Sequence, residues 1–299
     1  MSTYFDQKVA NRYTDYPVRE VTELLPFLMT AIHGISRTRA KELLSQRMVY
    51  VDKKITTQFN TPLRPGQLVQ IGNRRHKHEL ASRWVRLVYE DPFILVVEKA
   101  NGILTNTQPG NKAQTVKDIL DEYVKRTNRS FAVHTVHCLD RQTSGLLLFA
   151  KRRDIQQTLT DNWQELITDR RYIAVCEGDM EQNSGTVSSW LTDDRMFIVH
   201  SSVTDNGGKR AITHYHTLKR GGGYSLVELK LDTGRKNQIR VHMQDLHHSI
   251  AGDYKYGAQT DPLHRICLHA FRLAFRHPVT GELLKFETPF PPAFTQLLQ

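Results

Sequence analysis

At 299 residues, with 39% hydrophobic and 24% charged side chains, the chain has room for two domains and is too apolar for a disordered tail protein. No window approaches the roughly 18 uncharged apolar residues that a membrane-spanning helix needs, and the first residues, charged at Asp6, Lys8 and Arg12, lack the apolar segment of a secretory signal. The cytoplasm is the expected compartment, and 41 Lys plus Arg against 31 Asp plus Glu leave a net charge of +10 that favours polyanionic partners. Cys138, Cys176 and Cys267 lie far apart with no Cys-x-x-Cys spacing, so neither a disulfide frame nor a zinc site is indicated.

Residues 1–20 are polar and aromatic without period and read as a loose or docked extension. Val21 to Ile32 reads as a helix entered near Pro26 and stopped by His33-Gly34. In "SRTRAKELLSQRM", Ser36 is an N-cap, Ala40, Leu43, Leu44 and Met48 form one stripe, and Arg37, Lys41 and Arg47 make the outer side basic. "VYVDKKIT" reads as strand, charged turn, strand, and "RPGQLVQIG" as a Pro-Gly turn feeding a last strand. Residues 21–72 therefore form a small module, and the charged "NRRHKHELASRW" puts a linker at 73–83.

From 84 to 299 strands predominate: "VRLVYED", "FILVVEKA", "FAVHTVHCL", "GLLLFAKR", "RRYIAVCEG", "AITHYHTLKR", "YSLVELKLDT", "RICLHAFRLAFRHP" and "LLKFETPFP". Helical spacing marks "TVKDILDEYVKR", "IQQTLTDNWQELIT" and "NQIRVHMQDL", the last with Ile239, Met243 and Leu246 on one stripe. The expected class is α+β: a small N-terminal domain, then a mixed, mainly antiparallel sheet with flanking helices.

Asp140 falls between two apolar segments, so "DRQTSG" is a connection at the rim of the sheet, where an Asp can simply cap the turn. In "LKLDTGRKNQIRVH", Asn237, Arg240 and Gln244 share one helical face, and Arg235, Lys236 and Arg240 cluster at a strand-to-helix junction. Ile239 and Val241 flank Arg240, so its stem is covered and its charge needs an anion, either Asp140 or a phosphate. Tyr172 follows two arginines and offers a nucleobase a stacking surface, although a strand Tyr at the surface needs no such role. The 14 histidines have no acidic or cysteine partner at ligand spacing, so no metal is expected, and "GGG" at 221–223 reads as a hairpin turn.

Together "HCLDRQTSGLLLFAK", "RRYIAVCEG", "LDTGRKNQIRVHM", "IAGDYKYG" and "LHAFRLAFRHPVTGE" resemble the ordered motifs of the RluA-type pseudouridine synthases, over about Trp84 to the end. The block from about Leu24 to Gly72 is similar to the S4-like (alpha-L) RNA-binding module that often precedes that domain. The resemblance implies an isomerase of uridine in ribosomal RNA, with transfer RNA next, that needs neither cofactor nor metal. It assigns Asp140 as the catalytic carboxylate, nucleophile or base, Tyr172 as the platform under the target base and Arg240 as the cation paired with Asp140. Substrate contacts would come from Arg141, Thr143, Arg235, Asn237 and Gln238, with Arg37, Lys41 and Arg47 in the front module. Two positions depart from the family: Cys138 replaces an Arg and Asn237 a His, which favours a competing reading as a non-catalytic RNA-binding or ribosome-assembly protein. Nothing in the sequence demands more than a monomer.

Overall fold

The computed structural model describes residues 13–45, 48–72, 80–107, 110, 113–196 and 198–299; Arg47, residues 1–12 of the expected extension and 73–79 of the expected linker lie outside them. The chain divides into two compact units, Met1–Glu79 and Leu80–Gln299. Among the described residues no helix is long and apolar enough to cross a membrane.

The smaller unit runs β1 (Tyr13–Pro17), β2 (Thr22–Glu23), α1 (Leu24–Ala31), α2 (Arg37–Ser45), β3 (Val49–Val51), β4 (Lys54–Ile55), β5 (Pro62–Leu63) and β6 (Leu68–Gly72). Part of the expected loose or docked extension is docked as a regular strand: β1 pairs antiparallel with β6, from Tyr13 opposite Gly72 to Pro17 opposite Leu68. Its hold comes from a neighbour distant in sequence and from burial of Val18 just beyond it, neither of which a local period reveals. Helix α1 begins only at Leu24 because Thr22 and Glu23 pair with β5, which leaves Pro26 in the first turn, where its missing N–H costs nothing. Ser36 Oγ accepts the Arg39 N–H at 3.2 Å and caps α2. Asp52 and Lys53 both take positive φ, the geometry of a tight hairpin turn between β3 and β4. The core joins Leu24, Leu25 and Leu28 of α1 to Ala40, Leu43 and Leu44 of α2 over Val49, Val69 and Ile71, while Arg37 and Lys41 stay exposed.

The larger unit continues with β7 (Val85–Glu90), β8 (Ile94–Lys99), α3 (Val116–Lys125), β9 (His134–Thr135), β10 (Ser144–Ala150), α4 (Arg153–Asp161), α5 (Trp163–Leu166), β11 (Ile167–Glu177), β12 (Ser184–Asp193), β13 (Val199–Ser202), β14 (Lys209–Gly221), β15 (Tyr224–Leu231), α6 (Gln238–Asp245), β16 (Leu268–Arg276), β17 (Leu283–Glu287) and α7 (Pro292–Gln296). One sheet carries these strands in the order β13-β12-β14-β15-β11-β16-β10-β8-β7, with β17 on β16 and β9 on β10. Every pairing is antiparallel except β10 with β16. The sheet is a middle layer. Leu95, Val97, Leu147 and Phe149 bury one face under α3, whereas Ile94, Val96, Leu146 and Leu148 bury the other under α4.

Three differences from the sequence reading have local causes. "FAVHTVHCL" forms only the two-residue strand β9, because His137 Nε2 accepts the Leu148 N–H at 3.1 Å and Thr105 Oγ1 bonds both the N–H and the carbonyl of Leu139; side chains replace the ladder there. Strands β12 and β13 were not expected, since "SGTVSSWLTD" is polar and buries only Ser189 and Leu191 fully. The helix expected from Ile155 starts at Arg153 and breaks at Asn162, whose Nδ2 bonds back to the Thr158 carbonyl at 2.8 Å. The triple glycine turns as expected: Gly221 pairs with Tyr224, and Gly222 and Gly223 both have positive φ.

The parallel junction between β10 and β16 depends on a close backbone approach. Across three adjacent strands Gly145, Ala270 and Tyr172 stand in register, and a Cβ on Gly145, at φ +119°, would lie 2.2 Å from the Ala270 carbonyl oxygen. Only glycine brings the start of β10 that close to β16.

Two buried histidines stake the larger unit's stability on neutral rings. Burial pushes His242 down to about 4, between Thr213 Oγ1 and Ser189 Oγ, and burial followed by Arg265 pushes His269 down to about 4, between Ser144 Oγ and Thr288 Oγ1. The unfolded rings take up protons near 6.5 and the folded rings only near 4, so stability present at neutral pH falls as pH drops through that window. Unfolding free energies from urea titrations at pH 7 and pH 4.5 are expected to differ by about a few kcal/mol, the lower pH being less stable.

Candidate active site

A cavity of about 530 Å³ opens beside the β10–β16 junction and is lined by Asp140, Thr143, Tyr172, Asn237 and Arg240, among others. Asp140 is the first residue of the turn that feeds β10, closed by the Thr143 N–H to the Asp140 carbonyl at 3.1 Å. Its side chain is 39% exposed, and Oδ2 lies 3.3 Å from Arg240 Nη1. Tyr172, on β11, is 7% exposed, and burial raises its phenol above the ordinary range. It presents a held aromatic wall rather than an acid.

Arg240 reaches the cavity from α6. The peptide turns after β15 through Asp232 to Lys236, and Asn237 starts the helix in the left-handed region, φ 52°, which Asn tolerates better than most residues. Asn237 Oδ1 accepts from Arg240 Nη1 at 3.0 Å and Nδ2 donates to the Tyr256 hydroxyl at 2.9 Å. The other edge of the guanidinium is committed to Asp253: Nε to Oδ2 at 2.6 Å and Nη2 to Oδ1 at 2.7 Å. Asp253 is 1% exposed, and the guanidinium lies 4.8 Å from the centre of the Tyr256 ring. Burial opposes the charge on Arg240, but the hydrogen bonds and charge of Asp253, then the charge of Asp140, outweigh it and raise its proton affinity. One edge of the fork is fixed; the remaining nitrogen faces the cavity and Asp140.

The sequence reading found Arg240's need for an anion and missed its main one. Asp253 stands in the quoted "IAGDYKYG", so the motif was in view, but no spacing ties it to α6. Gln244, one turn on from Arg240, is exposed and does not line the cavity, because the helix ends one residue later and its last turn lies at the surface. Of the other expected contacts, Thr143 is 2% exposed and lines the cavity. Gln238 also lines it, but its amide is spent internally: Oε1 accepts from Thr233 Oγ1 and the Arg235 N–H, and Nε2 donates to the Ile212 carbonyl and Thr213 Oγ1. Arg141 turns Nε to the Gly102 carbonyl at 3.0 Å, and Arg235 turns Nε to the Arg210 carbonyl at 3.1 Å. Cys138 is exposed on the rim, 3.7 Å from Asn106 Nδ2; partial desolvation, then Asp140, raises its thiol.

Two cations behind the turn were also missed. Lys99 is fully buried at the end of β8, and Nζ donates to the carbonyls of Ala100, Ile103 and Arg141 at 2.9, 2.9 and 3.1 Å. Arg265 donates to Ser144 Oγ at 2.9 Å and to the Leu268 carbonyl at 3.0 Å. Burial, then Arg265, pushes Lys99 down to about 7, while Asp140 pulls the other way. Three carbonyl acceptors require three N–H donors, so protonated Lys99 clamps the turn and adds a positive charge where two carboxylates share one guanidinium. Lys99→Met is expected to lower turnover at least about tenfold at pH 6.5 through loss of this clamp, with RNA affinity unchanged, as measured by kcat and by filter binding.

Residues 93–245 match the RNA pseudouridylate synthase family. The RNA pseudouridine synthase YlyB of Bacillus subtilis is 32% identical over 91% of this chain and 92% of its own. The chain is a pseudouridine synthase of this family. A ribosomal large subunit pseudouridine synthase D, from Neisseria meningitidis serogroup A, is 32% identical over 88% of this synthase and 74% of the relative. The structure of human RNA pseudouridylate synthase domain containing 1 superimposes with a TM-score of 0.58 at 24% identity, covering 74% of this synthase and 89% of the human chain, and carries the same fold. The synthase is therefore an isomerase acting on RNA, and its mixed, mainly antiparallel sheet is that of the family.

Proposed function

We propose that the synthase isomerises uridine in large-subunit ribosomal RNA, with Asp140 as its catalytic carboxylate, Tyr172 as the wall on which the target base stacks and Arg240 as the cation that orients Asp140. The observation that carries this reading is the cavity-facing Nη1 of a buried Arg240, its other edge held by Asp253, set 3.3 Å from Asp140 in a cavity walled by Tyr172. Transfer RNA is the next substrate class. Extruding a nucleotide from its stack costs a few kcal/mol, which stacking and phosphate contacts offset. The carboxylate acts on the sugar as the C1′–N1 bond breaks; the freed uracil turns and bonds C1′ through C5, with the C5 proton lost and N1 regaining one. Water exclusion by Tyr172 and Leu268 strengthens the electrostatic grip of Arg240 and Lys99 on this chemistry.

The front unit, with two packed helices, a small sheet and exposed Arg37 and Lys41 on α2, is assigned here as an S4-like RNA-binding module, and the whole as a cytoplasmic monomer. Asn237 meets the milder of the two departures from the family: its amide bridges Arg240 and Tyr256, so that replacement keeps a hydrogen-bonding partner in place. Carbodiimide labelling and primer extension of ribosomal RNA from cells with and without the gene test the reading. A uridine-specific stop lost on deletion and restored by the protein supports it; an unchanged map over ribosomal and transfer RNA rejects it.

A further inference from the structure

The cavity is lined by two groups of side chains, each internally connected and joined by no hydrogen bond to the other. One is Asp140, Arg240 and Asn237, whose hydrogen bonds continue beyond the lining to Asp253 and Tyr256. The second is His137, Trp163 and Arg170, with Gln164 beside them, none of which the isomerisation uses. Arg170 is 9% exposed; its guanidinium lies 5.0 Å from the Trp163 ring centre, and Nη2 donates to the Thr233 carbonyl at 3.3 Å. A Cβ at Gly234 would lie 3.1 Å from both terminal guanidinium nitrogens of Arg170, so the residue that turns the chain toward α6 also makes room for it. His137 is fixed by the Leu148 N–H and sets its ring 5.3 Å from the indole, tilted by 54°.

Core packing does not account for Trp163. The four-residue helix α5 buries none of its side chains, and the indole stays partly accessible against the cavity. A large ring backed by a buried cation and steadied by a locked imidazole, next to an amide with donors and acceptors, is what a nucleobase finds in single-strand binding sites.

We propose that Trp163 is a second base platform: while the target uridine occupies the Asp140 end of the cavity, the base of an adjoining nucleotide of the same RNA stacks on the indole, with Gln164 at its edge. This rests on the isomerase reading and adds to it a determinant of which uridines are accepted. Arg170 and His137 are positioning residues that hold the platform, and the neighbour's base gains its affinity by stacking rather than by hydrogen-bond readout, which tolerates several base identities.

The test uses the full chain and stem-loop RNAs built around a uridine that the wild-type protein modifies in large-subunit ribosomal RNA, with each flanking base intact or replaced by an abasic ribose. For the wild type, one of the abasic replacements is expected to lower kcat/KM about 5- to 150-fold, the range for stacking of one base. Trp163→Ala is expected to lose the same factor on intact RNA and nothing further on that abasic RNA, while Trp163→Phe keeps most of the activity. Losses that multiply independently overturn the proposal, because a merely structural Trp163 would act alike on both RNAs. A second measurement needs no turnover: oligouridylate is expected to quench more tryptophan fluorescence in the wild type than in Trp163→Phe, and equal quenching overturns the platform. A wild-type protein that forms no pseudouridine yet shows the difference in quenching sinks the isomerase reading and leaves the platform standing.

Discussion

Asp140→Asn is expected to lower pseudouridine formation at least about 10,000-fold while RNA affinity and thermal stability stay at wild-type values. The replacement keeps size and shape, and its amide oxygen still accepts from Arg240 Nη1, so the turn closed by Thr143 and clamped by Lys99 has no reason to move. What is lost is the negative charge and the nucleophilic or basic oxygen. The side chain is 39% exposed and its ion pair with Arg240 is the outer of two, so its removal costs little folding energy, in contrast to a buried pair. Single-turnover labelling with carbodiimide gives the rate and filter binding gives the affinity. Full turnover by this variant would remove Asp140 from the chemistry.

How much of this was legible beforehand depends on how local each cause is. The β3–β4 hairpin, the Ser36 cap and the amphipathic α3, with its Thr115–Asp118 capping box, are written within a few residues of themselves, and spacing alone finds them. Strands β12 and β13 are held by partners across the sheet, from Leu191 opposite Lys209 to Trp190 opposite Ser202, and their own residues are too polar to announce a strand. The segment before Asp140 misled in the opposite sense: an apolar alternation looked like a strand, but Thr105 satisfies the backbone of Leu139, and the His137 side chain takes the Leu148 N–H of β10 that a ladder would have used.

The site divides in the same way. Asp140, Tyr172 and Arg240 stand out in one dimension as charge or aromaticity at a rim next to apolar strands, but their proposed roles came from the family resemblance and not from that contrast. Lys99 could be seen only as one more charged residue at the end of an apolar strand, since its three acceptors come from positions 100, 103 and 141. Gln238 and Arg141 read as polar groups at the site, yet the fold spends the whole Gln238 amide on backbone and neighbouring side chains and ties Arg141 Nε to the Gly102 carbonyl. A residue's chemistry was readable from the chain; which of its bonds the fold had already used was not.

That distinction decides what Asp253 does. Asp253→Ala is expected to cost about 3–5 kcal/mol of stability, because Arg240 is 8% exposed and loses both charged acceptors of Nε and Nη2 with no water to replace them. Its turnover is expected to fall as well, since a guanidinium freed on that edge is no longer held with Nη1 toward Asp140. The double variant Arg240→Met with Asp253→Leu separates the two effects. Replacing both members of a buried ion pair by apolar groups of similar volume is often neutral, so the urea midpoint is expected to return toward that of the wild type. Activity is not expected to return, because the cation facing Asp140 is gone. Were turnover restored together with stability, Arg240 would be only a strut for the fold, and the charge that steadies Asp140 would have to come from Lys99, the buried cation whose Nζ reaches the carbonyl of the next residue, Arg141.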